Sequence, residues 1–128
     1  MIGIIDLSIG NIKSLFEVVK RIDEHIIICN SPRQLNKVNK IIMPGQGAFG
    51  AFMQKLKKKN FEHELLDNIL NKKKPFLGIC VGMQVLVEKG YEYGSHIGLG
   101  IIKGKCRKIR SKKLNLPHIG WNNLKVTK

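Results

Sequence analysis

Cys80 has the setting that best suits chemistry, because a glycine lies two residues away on each side. The segment reads Gly78-Ile79-Cys80-Val81-Gly82, between an apolar run that predicts a strand and a stretch that predicts a helix. A strand-to-helix turn of this kind holds its central side chain in a sharp, strained bend above a sheet. The helix dipole favours the thiolate, and the backbone N–H of Val81 is offered to a developing oxyanion. The alternative is that Cys80 is a small core residue, since free cysteines are often buried.

A second glycine-rich loop, Pro44-Gly45-Gln46-Gly47-Ala48-Phe49, also follows a predicted strand. Glycines let a backbone turn its N–H groups inward, so Gly45, Gln46 and Gly47 are candidates for a second oxyanion donor. An ordinary strand-to-helix turn explains the same residues equally well.

The three cysteines, Cys29, Cys80 and Cys106, predict neither a disulfide framework nor a metal site. Their number is odd and no pair has the C-x-x-C spacing of zinc or redox sites. No G-x-G-x-x-G follows the first predicted strand, which disfavours a dinucleotide-binding protein. We therefore expect no cofactor and no metal.

Strands and helices are predicted to alternate through residue 89. Apolar runs predict strands at 1–6, 26–29, 40–43 and 75–79, and helical spacing predicts helices at 11–22, 51–59, 61–70 and 81–89. Asn11 is the expected N-cap of the first helix. Ser31-Pro32 opens a short helix, and residues from about 97 onward favour strands and turns. Alternation of this kind predicts an α/β fold, a mostly parallel sheet with helices on both faces and its site at the carboxyl ends of the strands.

The net charge of +14 comes with an uneven distribution of acids. All nine acids lie at or before Glu92, and the lysine runs carry no interleaved aromatic residues, so nucleic-acid binding is disfavoured. No apolar run approaches the length of about 18 residues that crosses a membrane. The N-terminus has no basic region of the kind that begins a signal peptide, which predicts a cytoplasmic protein.

These segments resemble class I glutamine amidotransferases, in which Gly-Ile-Cys-Val-Gly-Met-Gln is the nucleophile turn. They are also similar to a subgroup, the glutaminase subunits of imidazole glycerol phosphate synthase in histidine biosynthesis. The subgroup's features are Ile4-Ile5-Asp6 with Gly10-Asn11 and Ser14, the Pro-Gly-x-Gly-Ala-Phe loop, Gly98-Leu99-Gly100-Ile101-Ile102-x-Gly104, and Pro117-His118-Ile119-Gly120-Trp121-Asn122. The resemblance covers the whole chain.

The resemblance implies a role for each site residue. Cys80 would attack the side-chain amide of glutamine and form a thioester, releasing ammonia. Val81 and the Gly45-Gln46-Gly47 loop would form the oxyanion hole. Gln84 and Glu92 would bind the substrate.

The resemblance also implies a partner. Ammonia would pass to a (β/α)₈-barrel cyclase subunit that makes imidazole glycerol phosphate and AICAR, in a heterodimer. The residues expected toward that partner are Asn11, Lys13, His118, Trp121 and Asn122.

Two departures from the family pattern leave alternatives open. The family completes its triad with an H-x-E segment, which these 128 residues lack, so we expect one amidotransferase domain over 1–128 that is incomplete at its C-terminus and inactive alone. Leu7 and Ser8 stand where the subgroup usually has an aromatic residue and a glycine. The alternatives are a paralogous amidotransferase feeding another synthase, such as one that amidates a surface sugar, and an inactive interaction protein.

Overall fold

Four parallel strands form the main sheet of the protein, in a computed structural model that describes residues 1–111, 116–117 and 119–127. The strands are β1 (Ile2–Ile5), β2 (Ile26–Cys29), β3 (Lys40–Gly45) and β4 (Phe76–Cys80). Their order across the sheet is β2-β1-β3-β4. The parallel sheet that the sequence predicts is therefore confirmed, and the carboxyl ends of all four strands lie at one edge.

Helical segments connect these strands, as predicted. They are α1 (Ile12–Lys20), a 3₁₀ helix (Pro32–Lys37), α2 (Phe49–Lys58), α3 (Phe61–Leu66) with a π-helical turn (Asp67–Asn71), and α4 (Val81–Gln84). No helix within the described ranges is long and apolar enough to span a lipid bilayer.

Helices cover both faces of the main sheet. Successive side chains of a strand point to opposite sides, so each face has its own set of packed residues. On one face Ile2, Ile4 and Ile42 pack with Val19 of α1. On the other face the larger core holds the alternate strand residues and the apolar sides of α2 and α3. That second group includes Ile5, Ile41, Met43, Phe52, Leu56, Phe61 and Leu65.

The predicted helix over 11–22 is shorter in the structure. Its N-cap is Asn11, as expected, with the side-chain oxygen accepting a hydrogen bond from the Ser14 N–H at 3.1 Å. The helix ends at Lys20, so Ile22 lies beyond it and is 80% exposed. The prediction that this helix extends to residue 22 was therefore wrong.

The prediction of a helix over 81–89 was wrong beyond Gln84. The carbonyl oxygens of Val85 and Leu86 accept hydrogen bonds from the N–H groups of Leu99 and Ile102, at 2.8 and 2.9 Å, instead of continuing a helix. Residues after Leu86 form a second, three-stranded sheet in the order β6-β5-β7. Its strands are β5 (Val87–Gly90), β6 (His96–Ile97) and β7 (Ile102–Cys106).

Candidate active site

Cys80 ends β4 and immediately precedes α4, as the sequence predicts. Its backbone has φ 56° and ψ −120°, a left-handed conformation that costs a residue with a side chain about 1–3 kcal/mol. The residue is exposed, so the alternative of a buried core cysteine is wrong for Cys80. Because α4 is only one turn long, its dipole is smaller than that of the longer helix expected from the sequence.

Glycines allow three backbone segments to meet around this turn. A Cβ on Gly78 would lie 2.6 Å from the carbonyl oxygen of Gly82. A Cβ on Gly82 would overlap the carbonyl oxygen of Met43, and one on Gly45 would overlap the Gly82 nitrogen. A side chain at Gly45 or Gly82 would push β3 away from the turn, and one at Gly78 would push α4 away from β4.

The β3–α2 loop, Gln46–Ala48, begins directly beside the cysteine. Gly45 is paired with Cys80 across the two strands, and Gly47 has a φ of 89°. A cavity of about 230 Å³, called here the Cys80 cavity, separates this loop from the loop between β1 and α1. Its lining is Ile9, Gly10, Asn11, Leu15, Pro44, Gly45, Gln46, Ile79 and Cys80.

Gln84 and Glu92 line a second and larger cavity of about 480 Å³, called here the Gln84 cavity. The other lining residues are Tyr91, Tyr93, Cys106, Arg107 and Lys108, and the Arg107 guanidinium lies 5.5 Å from the Tyr91 ring centre. Cys80 does not line this cavity, so the candidate nucleophile and the two candidate substrate residues face different cavities. The short helix α4 connects them, with Cys80 preceding its first residue and Gln84 as its last.

Glu92 makes a contact that sequence reasoning missed. Its carboxylate oxygen Oε2 accepts a hydrogen bond of 2.8 Å from the backbone N–H of Phe49, the first residue of α2. The N-cap of α2 is Ala48, which has no side-chain oxygen to accept such a bond. The alanine at the N-cap position is the sequence signal that the first N–H groups of α2 need a hydrogen-bond acceptor from another part of the chain.

Leu7 and Ser8, which depart from the subgroup pattern, have different surroundings. Leu7 is buried in the larger core, whereas Ser8 is exposed with a φ of 57°. Lys59 donates to the Ser8 hydroxyl at 2.8 Å and to the Asp6 carbonyl at 3.2 Å, and Lys55 donates to the Ser8 carbonyl at 3.3 Å. Two lysines at the end of α2 therefore hold the loop that forms one wall of the Cys80 cavity.

The other two cysteines differ from Cys80 in their surroundings. Cys29 is fully buried, and this burial raises the pKa of its thiol to about 11. Cys106 is half-buried in β7 and lines the Gln84 cavity. Neither thiol lies at a turn like that of Cys80.

None of the three described histidines lines the Cys80 cavity. His25 is exposed beside Asp23, and His63 is exposed on α3. His96 packs against Gly50, where a Cβ would lie 2.5 Å from its ring. The fourth histidine, His118, lies outside the described residues. The prediction that it faces a partner therefore stays a prediction.

The residues predicted to face a partner are exposed where the structure describes them. Asn11 and Lys13 lie at the start of α1, and Asn11 also lines the Cys80 cavity. Trp121 and Asn122 are exposed in the segment after β7. Trp121 is fully exposed and does not pack in the core.

A parallel sheet with a cysteine in a glycine-flanked turn at its carboxyl edge defines a class of protein, and comparison with known families identifies it. Residues 4–126 match the glutamine amidotransferase class-I family, and the chain belongs to that family. Within it, the chain is similar to proteins named imidazole glycerol phosphate synthase subunit HisH. It is 40% identical to HisH 1 of Campylobacter jejuni strain 81-176 and 43% identical to HisH of Methanocaldococcus jannaschii, with all of this chain aligned.

The chain spans 64% of the Campylobacter relative's length and 63% of the Methanocaldococcus relative's length. A crystal structure from Listeria monocytogenes, described as a peptidase E, superimposes with a TM-score of 0.51. The superposition covers 69% of this chain and 50% of that one, and the identity is 17%, so the likeness concerns the fold alone.

Proposed function

We propose that this protein is the glutaminase subunit of an imidazole glycerol phosphate synthase. The observation that carries the proposal is the exposed thiol of Cys80, held in a left-handed conformation beside the β3–α2 loop. Identity of 40% to subunits of that name along the whole chain supports the choice of synthase over other acceptors of ammonia.

In the proposed reaction, the Cys80 thiolate attacks the side-chain amide carbon of glutamine and an oxyanion forms on the carbonyl oxygen. The first N–H groups of a helix have no partner within the helix, so the Val81 N–H is available to that oxygen. Gly45, Gln46 and Gly47 would supply the second donor. When the C–N bond breaks, the NH₂ group takes up the proton that the Cys80 thiol gave up and leaves as ammonia. Water then hydrolyses the thioester, which releases glutamate and restores the thiol.

Substrate binding is assigned to Gln84 and Glu92, which line one cavity at the far end of α4 from Cys80. A carboxylate such as Glu92 suits the ammonium of an amino acid, and the amide of Gln84 offers both donors and an acceptor. Glutamine would then extend from the Gln84 cavity toward the thiol.

The proposed partner is the barrel cyclase subunit, which would use the ammonia to close an imidazole ring and release AICAR. Exposure of Asn11, Lys13, Trp121 and Asn122 supports an interface on the side of the Cys80 cavity and the segment after β7. A large exposed aromatic residue is a frequent interface anchor. A synthase subunit of this kind would work in the cytoplasm.

The test is glutamine hydrolysis by the full-length product of the gene, mixed with the histidine-pathway cyclase, with and without Cys80→Ala. We expect Cys80→Ala to abolish glutamate release while cyclisation driven by added ammonium chloride continues. Cys29→Ala is the matched thiol control, because Cys29 is buried in the core and lines neither cavity, and it should keep glutamate release. Unchanged glutamate release in Cys80→Ala would reject the proposal.

A pull-down with the same cyclase separates the alternatives. A paralogue that feeds another synthase would not bind it. If the protein is an inactive interaction protein, Cys80→Ala would still bind its partner and would leave the phenotype of the cell unchanged.

A further inference from the structure

The first turn of α2 is held by the second sheet. Phe49 is completely buried, and a Cβ on Gly90 would lie 2.5 Å from its ring. A Cβ on Gly98 would lie 3.1 Å from the end of the same ring. Gly90 therefore lets the second sheet pack closely against Phe49, and Glu92 completes this contact with its hydrogen bond to the Phe49 N–H.

The β3–α2 loop has both of its ends tied down by these contacts. At one end Gly45 pairs with Cys80 in the sheet. At the other end Phe49 follows Ala48 directly and is held by the carboxylate of Glu92. Only Gln46, Gly47 and Ala48 lie between the two fixed points. The placement of the loop's N–H groups near Cys80 thus depends on where Phe49 is held.

The hydrogen bond from the Phe49 N–H to the Glu92 carboxylate is strong because its acceptor is charged. Hydrogen bonds to ionised groups are about twice as strong as neutral ones, and a carboxylate is stabilised near a helix N-terminus. No acidic residue lies in the first turn of α2, so Glu92 supplies this interaction from 43 residues away.

We propose that Glu92 is a positioning residue for the β3–α2 loop in addition to facing the Gln84 cavity. The side chain that lines the substrate cavity also caps α2, and so it sets the position of the oxyanion donors. This inference rests on the proposed function only in that the loop serves the chemistry of Cys80. The capping itself can be tested without any substrate.

The first test is hydrogen exchange of the Phe49 amide in the full-length protein. In Glu92→Ala we expect exchange to speed up about ten- to hundredfold, the loss expected for one hydrogen bond to a charged group. Glu92→Gln keeps an acceptor oxygen and should restore most of the protection. The matched control is Glu88→Ala, since Glu88 also binds a distant backbone N–H, that of Gly104 at 3.1 Å, but does not touch α2.

Unchanged exchange at Phe49 in Glu92→Ala would overturn the proposal, as would an equal increase in Glu88→Ala. If Glu92→Ala is too unstable to measure, Glu92→Asp decides, because its carboxylate is one methylene farther from Phe49. Exchange at Phe49 must rise in that variant too, while amides of β1 and β3 stay protected.

The second test separates positioning from substrate binding through glutamine kinetics of the full-length protein with the cyclase. Glu92→Ala should lower kcat at least tenfold and raise KM. Glu92→Gln should mainly raise KM, because it retains the cap and loses the charge. A normal kcat in Glu92→Ala would make Glu92 a binding residue only and overturn its positioning role. If the wild type does not hydrolyse glutamine at all, the proposed function fails, but the exchange result still decides the capping.

Discussion

Cys80 adopts a backbone conformation that glycine would adopt without strain. Its φ of 56° with ψ of −120° is unfavourable for a residue with a side chain, and the surrounding strands maintain it. Strain of this kind is often found where a catalytic side chain must be presented. The cost is therefore a measurable property of this one position.

Cys80→Gly is expected to make the protein more stable than Cys80→Ala. Glycine relieves the strain but loses more conformational entropy on folding, which leaves a net gain of about 1 kcal/mol in the free energy of unfolding. Urea denaturation of the two variants measures the difference. Equal stability would mean that the left-handed conformation at Cys80 is not strained.

The buried thiol of Cys29 is expected to lower the free energy of unfolding at alkaline pH. Because burial raises the pKa of its thiol from 9.0 to about 11, the unfolded chain loses this proton first as the pH rises. The contribution of Cys29 is fully present below pH 9 and is lost between pH 9 and about 11. Urea denaturation across that range, compared with Cys29→Ala, isolates the contribution of the thiol. Identical pH slopes in the two proteins would contradict the prediction.

At the scale of elements, α2 connects the two cavities of the site. Its first turn is capped by Glu92 from the Gln84 cavity, and its last residues hold the loop that walls the Cys80 cavity. Lys59 is the main contact there, with two hydrogen bonds to the β1–α1 loop.

Lys59→Met is expected to loosen the loop between β1 and α1. Amide exchange of residues 8–11 should become faster. The free energy of unfolding should fall by about 1 kcal/mol, because the two hydrogen bonds of Lys59 are partly exposed and contribute little. Lys58→Met is the matched control, because the Lys58 side chain is exposed and makes no hydrogen bond or ion pair with the described residues. Similar exchange in both variants would show that Lys59 does not hold the loop.

The elements that the sequence predicts well are those with a local signal. Apolar runs predict the bounds of all four strands of the main sheet to within two residues, and the Asn11 cap predicts the start of α1. The end of α4 could not be predicted this way, because it depends on bonds from Leu99 and Ile102. The same holds for the Glu92 and Lys59 contacts, which join residues 43 and 51 positions apart.

At the scale of the whole molecule, the described residues bring the candidate nucleophile and the candidate oxyanion donors together but place no histidine at the Cys80 cavity. In enzymes that use a catalytic triad, removing one member can cost several orders of magnitude in rate. Among the described residues, therefore, no histidine is placed to act as the base that such a triad requires.

We predict that residues 1–128, produced as such, hydrolyse no measurable glutamine. The thiol would lack a base to accept its proton, and the departing ammonia would lack a proton donor. Glutamate release assayed with Cys80→Ala as the blank measures this. Hydrolysis that depends on Cys80 would refute the prediction and point to a base among the residues present. Sequencing the gene beyond the codon for Lys128 provides the complementary answer, since an H-x-E segment there would complete the triad.

The pairing of β3 with β4 has a consequence for how the protein folds. These parallel strands are separated along the chain by α2 and α3, and pairing between such distant segments is slow because a long loop must close first. Until Gly82 has settled against Met43, nothing holds Cys80 in its left-handed conformation. We therefore expect a nascent or partly folded chain to carry Cys80 on a relaxed backbone until β3 has paired with β4.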